Sequence, residues 1–197
     1  MDFRKSLKLV IFDFDGTLFH LNADWQALGE ALGTNGTNET MGDALQRHRD
    51  EGNHNRLAAA NAVEIEAVGT RRVSPEIIQC LQKLAAMYKV AIFTRNSHET
   101  VERALQGTAM EGKLYIVGRE DAAHLKPHTE GLEILCRHFS VIPTQAVLVG
   151  DTEHDVIVAH AFGLPAIIVA NPSVPRQPAD ADDYIKTIPD LLHLLAK

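Results

Sequence analysis

Four aspartates, a threonine and a lysine in this 197-residue chain stand where they could act together. Asp13, Asp15 and Thr17 fall in DFDGT, Thr94, Arg95 and Asn96 follow VAIF, Lys126 lies in HLKPH, and Asp151 and Asp155 belong to GDTEHD. Carboxylates gathered at this density repel one another, and burying them unpaired costs several kcal/mol, so a cation must accompany them. Lys126 brings one positive charge and a divalent metal would bring two. The ligands on offer are all oxygens, which favours Mg²⁺ over zinc or copper. An oxygen-ligated Mg²⁺, a hydroxyl and a lysine make a phosphate site, and backbone N–H groups at the start of the helix after Thr94 would add ligands to it. Asp13, ionised at pH 7, could attack phosphorus and form an aspartyl-phosphate. Asp15, two positions on, could protonate the leaving oxygen and then take a proton from water, its pKa raised toward that role by a neighbouring carboxylate.

These residues converge only if the elements carrying them end on one rim. Five short apolar runs rich in Val and Ile supply those elements: KLVIF before Asp13, YKVAIF before Thr94, KLYIVG to Gly118, AVLVG before Asp151, and LPAIIVA to Ala170. They lack alternation, the pattern of strands covered on both faces in a parallel sheet. Helical stretches separate them, over 75–87, 97–107, 127–139, 153–162 and 188–196. The first of these opens with Ser74 as N-cap and Pro75 at its first position. Strand alternating with helix predicts a doubly wound α/β domain, whose ligands bind beyond the carboxyl ends of the strands. The rhythm breaks once, between about His20 and Arg72. Three helical pieces over 23–32, 40–50 and 56–68, the first two separated by GTNGTNET, form an insertion of roughly 50 residues. The segment 171–189 reads as a surface connection, with Pro172, Pro175 and Pro178 belonging to a loop rather than to a PxxP ligand site.

LVIFDFDGTL, the Thr94 that closes VAIFT, Lys126 before Pro127, and GDTEHD resemble, in order, the motifs of the haloacid dehalogenase-like (HAD) hydrolases. The resemblance covers about residues 7–20 and 74–170. It implies a Rossmann-like parallel sheet flanked by helices, with a small α-helical cap inserted after the first strand. Residues 1–19 and 74–197 would form the catalytic core and 20–73 the cap. It implies Asp13 as nucleophile and Mg²⁺ ligand, and Asp15 as acid/base that offers its backbone carbonyl to the metal. Thr94 and Lys126 would bind the phosphoryl group, with Arg95 and Asn96 beside them as substrate-binding residues. Asp151 would be a metal ligand, Asp155 would support the metal site or orient Lys126, and Thr17 would be a supporting residue. Haloacid dehalogenases themselves need no metal and lack the second aspartate of the first motif, so Asp15 points to a phosphatase. The 31 residues between Thr94 and Lys126 hold one helix and one strand, which places the cap after the first motif, as in phosphoglycolate phosphatase-like members. Such a cap closes over small soluble phosphomonoesters and excludes water. A phosphomutase or other phosphotransferase, and a catalytically silent HAD-like binding protein, are the alternatives.

Composition narrows the partners. Twenty-six acidic against 19 basic residues leave a net charge of −7, which argues against nucleic acid and anionic membranes as partners. The two cysteines, Cys80 and Cys136, sit in amphipathic stretches as buried small hydrophobes. The apolar run Leu9 to Phe12 is too short for a signal peptide, and no stretch is long enough to span a membrane. A soluble cytoplasmic protein acting on a small phosphorylated metabolite is expected, and monomer and homodimer both fit. The ten histidines form no zinc set with the cysteines, and His154 is expected to face solvent. Arg47, His48, Arg49, His54 and Arg56 read as a solvated helix face, and Trp25 and Leu28 as core of the insertion.

Overall fold

The computed structural model describes residues 3–174 and 177–196; Pro175 of the proline-rich segment lies outside them. Their centre is β1 (Leu9–Phe12), which is buried along its whole length and pairs in parallel with β2 (Lys89–Phe93) on one side and β4 (Ala146–Gly150) on the other. With β3 (Tyr115–Val117), β5 (Ala166–Val169) and β6 (Asp183–Ile185), the sheet among the described residues runs β3-β2-β1-β4-β5-β6, every pairing parallel.

Successive side chains of a strand point to opposite faces, so each apolar run feeds two cores. Val10, Phe12, Ile92, Val147 and Val149 enter one cluster, closed by α4 (Pro75–Ala85), α5 (His98–Leu105) and the C-terminal α8 (Asp190–Leu195). Leu9, Ile11, Ala91, Phe93 and Leu148 enter the other, closed by α6 (Glu130–Phe139) and α7 (Glu153–Phe162). Burial on both faces explains the lack of alternation in these strands. Helix α4 starts as its sequence requires, with Ser74 Oγ accepting the Ile77 N–H and Pro75 at the first position.

The insertion consists of α1 (Trp25–Leu32), α2 (Met41–Asp50) and α3 (His54–Val68), capped by the side chains of Asp24, Thr40 and Asn53. Its own small core gathers Leu28, Leu32, Ala44, Leu45 and Ala60, with Leu125 joining from the sheet domain. The basic run is not a bare solvated face, because most of it ties these helices together. Buried His48 donates from Nε2 to the Leu32 carbonyl at 2.8 Å, Arg47 makes two bonds to the Glu39 carboxylate, and Arg56 donates to the Glu30 and Ala31 carbonyls at the end of α1.

One element departs from the expected surface connection over 171–189. Asp183–Ile185 forms the edge strand β6. Only Ile185 of its three residues is buried, so a short edge strand leaves no apolar run to read. Arg4 pairs with Asp183 across to the N-terminal turn.

Candidate active site

The first, second and fourth strands end at neighbouring positions of one rim. The Asp13 N–H donates to the Val149 carbonyl of β4 at 2.8 Å, and the Thr94 N–H to Val117 of β3 at 3.0 Å. This rim opens into a cavity of about 420 Å³ beneath the helical insertion. Asp13, Asp15, Thr94, Arg95, Asn96, Lys126, Asp151 and Asp155 all line it. Thr17 is buried just behind, donating to Asp151 Oδ1 at 3.2 Å.

Lys126 organises the floor. Its ammonium donates to Asp13 Oδ1 at 2.8 Å and to Asp155 Oδ1 at 2.9 Å, and it lies 4.6 Å from the centre of the Phe93 ring. Asp155, in the first turn of α7, spends its other oxygen on the Thr152 N–H and hydroxyl, which closes the helix's capping box. Asp155 is therefore held from both sides, and it holds Lys126. Asp151 is braced by Thr17 and by Asn171, whose amide donates to Oδ2 at 2.6 Å. Gly16 makes room for this carboxylate: its φ is +88°, and a Cβ there would fall 2.3 Å from Asp151 Oδ2. Asp15 is oriented by the Leu21 N–H, which donates to Oδ1 at 2.8 Å.

The second strand end is arranged differently from the simple helix-terminus picture. Helix α5 begins at His98, so a turn separates it from Thr94. The Thr94 hydroxyl donates to Asn96 Oδ1 at 2.9 Å and accepts the Asn96 N–H, while the His98 N–H goes to Glu120. Those two N–H groups are thus satisfied within the chain.

The electrostatics follow from burial. Asp13 is pushed up to about 7, first by burial and then by Asp155 and Asp151, against the pull of Lys126. Asp15 is raised by burial, with Asp151 and Glu64 adding to it. Asp151 is raised by burial too, in spite of the Asn171 bond. Asp155 is as deeply buried, yet Lys126 and Thr152 outweigh this and hold it below the usual carboxylate range. Burial also works against the charge on Lys126, but its two carboxylates raise its pKa.

Asp13, Asp151 and Asp155 bring carboxylate oxygens within 4.8 Å of one another. When all three are ionised, these carboxylates against the single ammonium of Lys126 leave two negative charges in a buried cluster, the deficit that one divalent cation fills in place of the protons. The donors are oxygens alone, so the residues fit a hard cation such as Mg²⁺.

Several lining residues escaped the sequence reading. Asn171 follows β5, so the strand-end rule that singles out Asp13 and Asp151 also points to it. Glu64, in α3, carries no motif. His154 is exposed, as expected, and stands at the edge of the cavity, where partial burial and then Arg95 lower its pKa. Leu28 is buried in the insertion's core as expected, but Trp25 is 60% exposed and lines the cavity. Trp25 is the first residue of α1, and the helix reaches the core of the insertion only at Leu28 and Leu32.

Residues 30–169 match the profile of the haloacid dehalogenase-like hydrolases. The chain belongs to that family. A pyrophosphatase PpaX from Bacillus cereus is 31% identical over 96 residues, which are 48% of this chain and 44% of that protein. The match therefore spans less than half of that relative's length. Among solved structures, a predicted phosphoglycolate phosphatase from Haemophilus somnus 129pt aligns with a TM-score of 0.70 at 21% identity, covering 96% of this chain and 98% of its own. CbbY from Rhodobacter sphaeroides, solved in complex with phosphate, aligns with a TM-score of 0.71 at 18% identity, covering 94% and 96%. Both share the fold of this family member. Among the described residues, no helix is long and apolar enough to cross a membrane.

Proposed function

We propose that this family member is a Mg²⁺-dependent phosphomonoesterase that cleaves a small phosphorylated metabolite through an aspartyl-phosphate. The observation that carries this reading is the pairing of Asp13 with Lys126 beside Asp15, all lining one cavity at the strand ends. The PpaX name of the relative and the phosphate held by CbbY support phosphate chemistry for the fold.

In this mechanism an Asp13 oxygen attacks phosphorus while the bond from phosphorus to the leaving oxygen breaks. Asp15, whose raised pKa keeps a proton within reach, gives that proton to the departing alkoxide. Asp15 then takes a proton from water as the water oxygen bonds to phosphorus, and the bond from phosphorus to Asp13 breaks. The Leu21 N–H fixes Asp15 for both transfers. Lys126 and the Thr94 hydroxyl bind phosphoryl oxygens, with Arg95 and Asn96 beside them. Asp13 and Asp151, joined by the Asp15 backbone carbonyl, would hold Mg²⁺, with Asp155 and Thr17 in support. Bound there, Mg²⁺ supplies positive charge for the phosphoryl oxygens. Residues 20–73 serve as the cap over a core of 1–19 and 74–197, keeping bulk water from the intermediate. Buried thiols at Cys80 and Cys136 suit a reducing cytoplasm.

The deciding experiment is phosphate release from a panel of metabolite phosphates with Mg²⁺. Activity in the wild type that disappears in Asp13→Asn, with the fold intact by circular dichroism, is the expected result. Turnover by Asp13→Asn near the wild-type rate would overturn the mechanism.

A further inference from the structure

The cavity is chemically lopsided. Its floor is charged, but the wall supplied by α1, α2 and the segment before them is mainly apolar, with Leu21, Ala23, Trp25, Leu28, Met41 and Leu45 beside the uncharged polar side chain of Asn22 and His20 at its edge. Trp25 stands out because it is a large apolar side chain 60% exposed at the start of α1, one turn before the helix is buried at Leu28 and Gly29. An indole left open at a cavity wall is a large apolar surface without a partner, and flat apolar groups stack on such a ring.

The cations lining the cavity are as informative. Lys126 is committed to Asp13 and Asp155. Arg95 is the other Lys or Arg among the lining residues, half-buried, and its guanidinium makes no hydrogen bond or ion pair among the described residues. It lies against the first turn of α2, where a Cβ on Gly42 would come within 2.2 Å of Arg95 Nη1. Glu64 on the insertion side is already paired with buried Arg119 and has no cation to offer a substrate. A substrate bearing a second phosphate or carboxylate would bring its charge toward Asp15 and Asp151 with one guanidinium to share between both ends.

We infer that the leaving-group side of the cavity takes a neutral alcohol with an aromatic or apolar face, stacked on Trp25, and not a bisphosphate or phospho-acid. This deepens the phosphatase reading and rests on it. Arg95 is then left to serve the single phosphoryl group at the junction of floor and wall.

Benzyl phosphate tests this well, because it is an ester of an ordinary aliphatic alcohol and leaving-group ability does not favour it over glycerol 2-phosphate. The expected wild-type result, with Mg²⁺, is a kcat/KM for benzyl phosphate about ten-fold or more above that for phosphoglycolate. Trp25→Ala should raise KM for benzyl phosphate by about ten-fold, the order seen when one aromatic stacking partner is lost, and raise KM for glycerol 2-phosphate far less. Trp25→Phe, which keeps a ring, should recover most of the difference. Preference for phosphoglycolate, or an equal effect of Trp25→Ala on both esters, would overturn the inference.

Binding separates this inference from the reading beneath it. Trp25 is the sole tryptophan in the chain, so its fluorescence reports occupancy of the wall without turnover. In Asp13→Asn, benzyl phosphate should quench it saturably while inorganic phosphate does not. Quenching without any wild-type hydrolysis would leave the subsite standing and remove the phosphatase reading. Hydrolysis without quenching or aromatic preference would do the reverse.

Discussion

Lys126 reaches 2.8 Å from Asp13 and, with the same ammonium, 2.9 Å from Asp155. All three side chains are withdrawn from water, Lys126 and Asp155 to 3% exposure and Asp13 to 14%. Removing one partner of such a group strands the others. Lys126→Met should therefore destabilise the metal-free protein by about 3–5 kcal/mol, the usual cost of an uncompensated buried charge. Saturating Mg²⁺ should return part of that loss. Urea denaturation with and without Mg²⁺ checks both statements, and a loss below about 1 kcal/mol would show that the carboxylates are satisfied by other means.

The same cluster predicts how stability depends on pH. Asp13 is raised from 3.8 to about 7 in the folded chain, so between those values the folded state binds a proton that the unfolded state releases. Stability from this group is full below about pH 4 and is lost as pH rises through 7. Asp15 and Asp151 are shifted in the same direction. Asp155 is lowered, so its own loss falls on the acid side of 3.8 and outside this window. Mg²⁺ competes with these protons, so its stabilising effect should be larger at pH 8 than at pH 5. Thermal melts at the two values measure this; an equal or smaller Mg²⁺ shift at pH 8 would contradict it.

Why the strand ends were legible while other parts were not is a matter of local signal. Phe12, Phe93 and Gly150 close continuous apolar runs because β1, β2 and β4 are covered on both faces, so the polar residue after each run marks the rim. β6 has no such run, since an edge strand with one buried residue needs none. Trp25 was misplaced because helical spacing puts it on the Leu28 stripe, and spacing does not show where the covering helices stop. Glu64 was invisible for a deeper reason. It lies 55 residues before its partner Arg119 in the chain, and nothing in the local sequence of either announces the other.

That pair gives a further prediction. Glu64 of α3 and Arg119, after β3, form an ion pair at 5% and 4% exposure, and the Thr100 hydroxyl also donates to Glu64, at 2.9 Å. Arg119 Nε and Nη1 are buried without a hydrogen-bond partner among the described residues, so the guanidinium depends on Glu64. Glu64→Ala should cost about 3–5 kcal/mol, whereas replacing both residues, as Glu64→Leu with Arg119→Met, should cost far less. A double-mutant cycle by chemical denaturation gives the coupling directly. Additive effects would mean that the pair contributes no interaction of its own.

The thiols should be silent. Burial pushes both Cys80 and Cys136 up to about 11, so at pH 8 roughly one thiol in a thousand is the reactive thiolate. Native protein should resist iodoacetamide, and both cysteines should be alkylated once urea unfolds the chain. Alkylation of native protein at the rate of a free cysteine, read by mass spectrometry, would contradict their buried placement.

Gly16 links the backbone to the chemistry. Its positive φ of +88° would strain any other residue, and an added Cβ would come within 2.3 Å of Asp151 Oδ2, a carboxylate already fixed by Thr17 and Asn171. Gly16→Ala should cost about 1–3 kcal/mol from the backbone conformation alone. The methyl group must also displace Asp151, so the variant should bind Mg²⁺ more weakly by about ten-fold or more, in line with losses seen when groups that orient metal ligands are disturbed. Isothermal titration with Mg²⁺ tests the second effect separately from the first, since it is run well below the melting temperature. Unchanged Mg²⁺ affinity in a destabilised Gly16→Ala protein would show that Asp151 holds no metal, and would confine the role of Gly16 to the turn after β1.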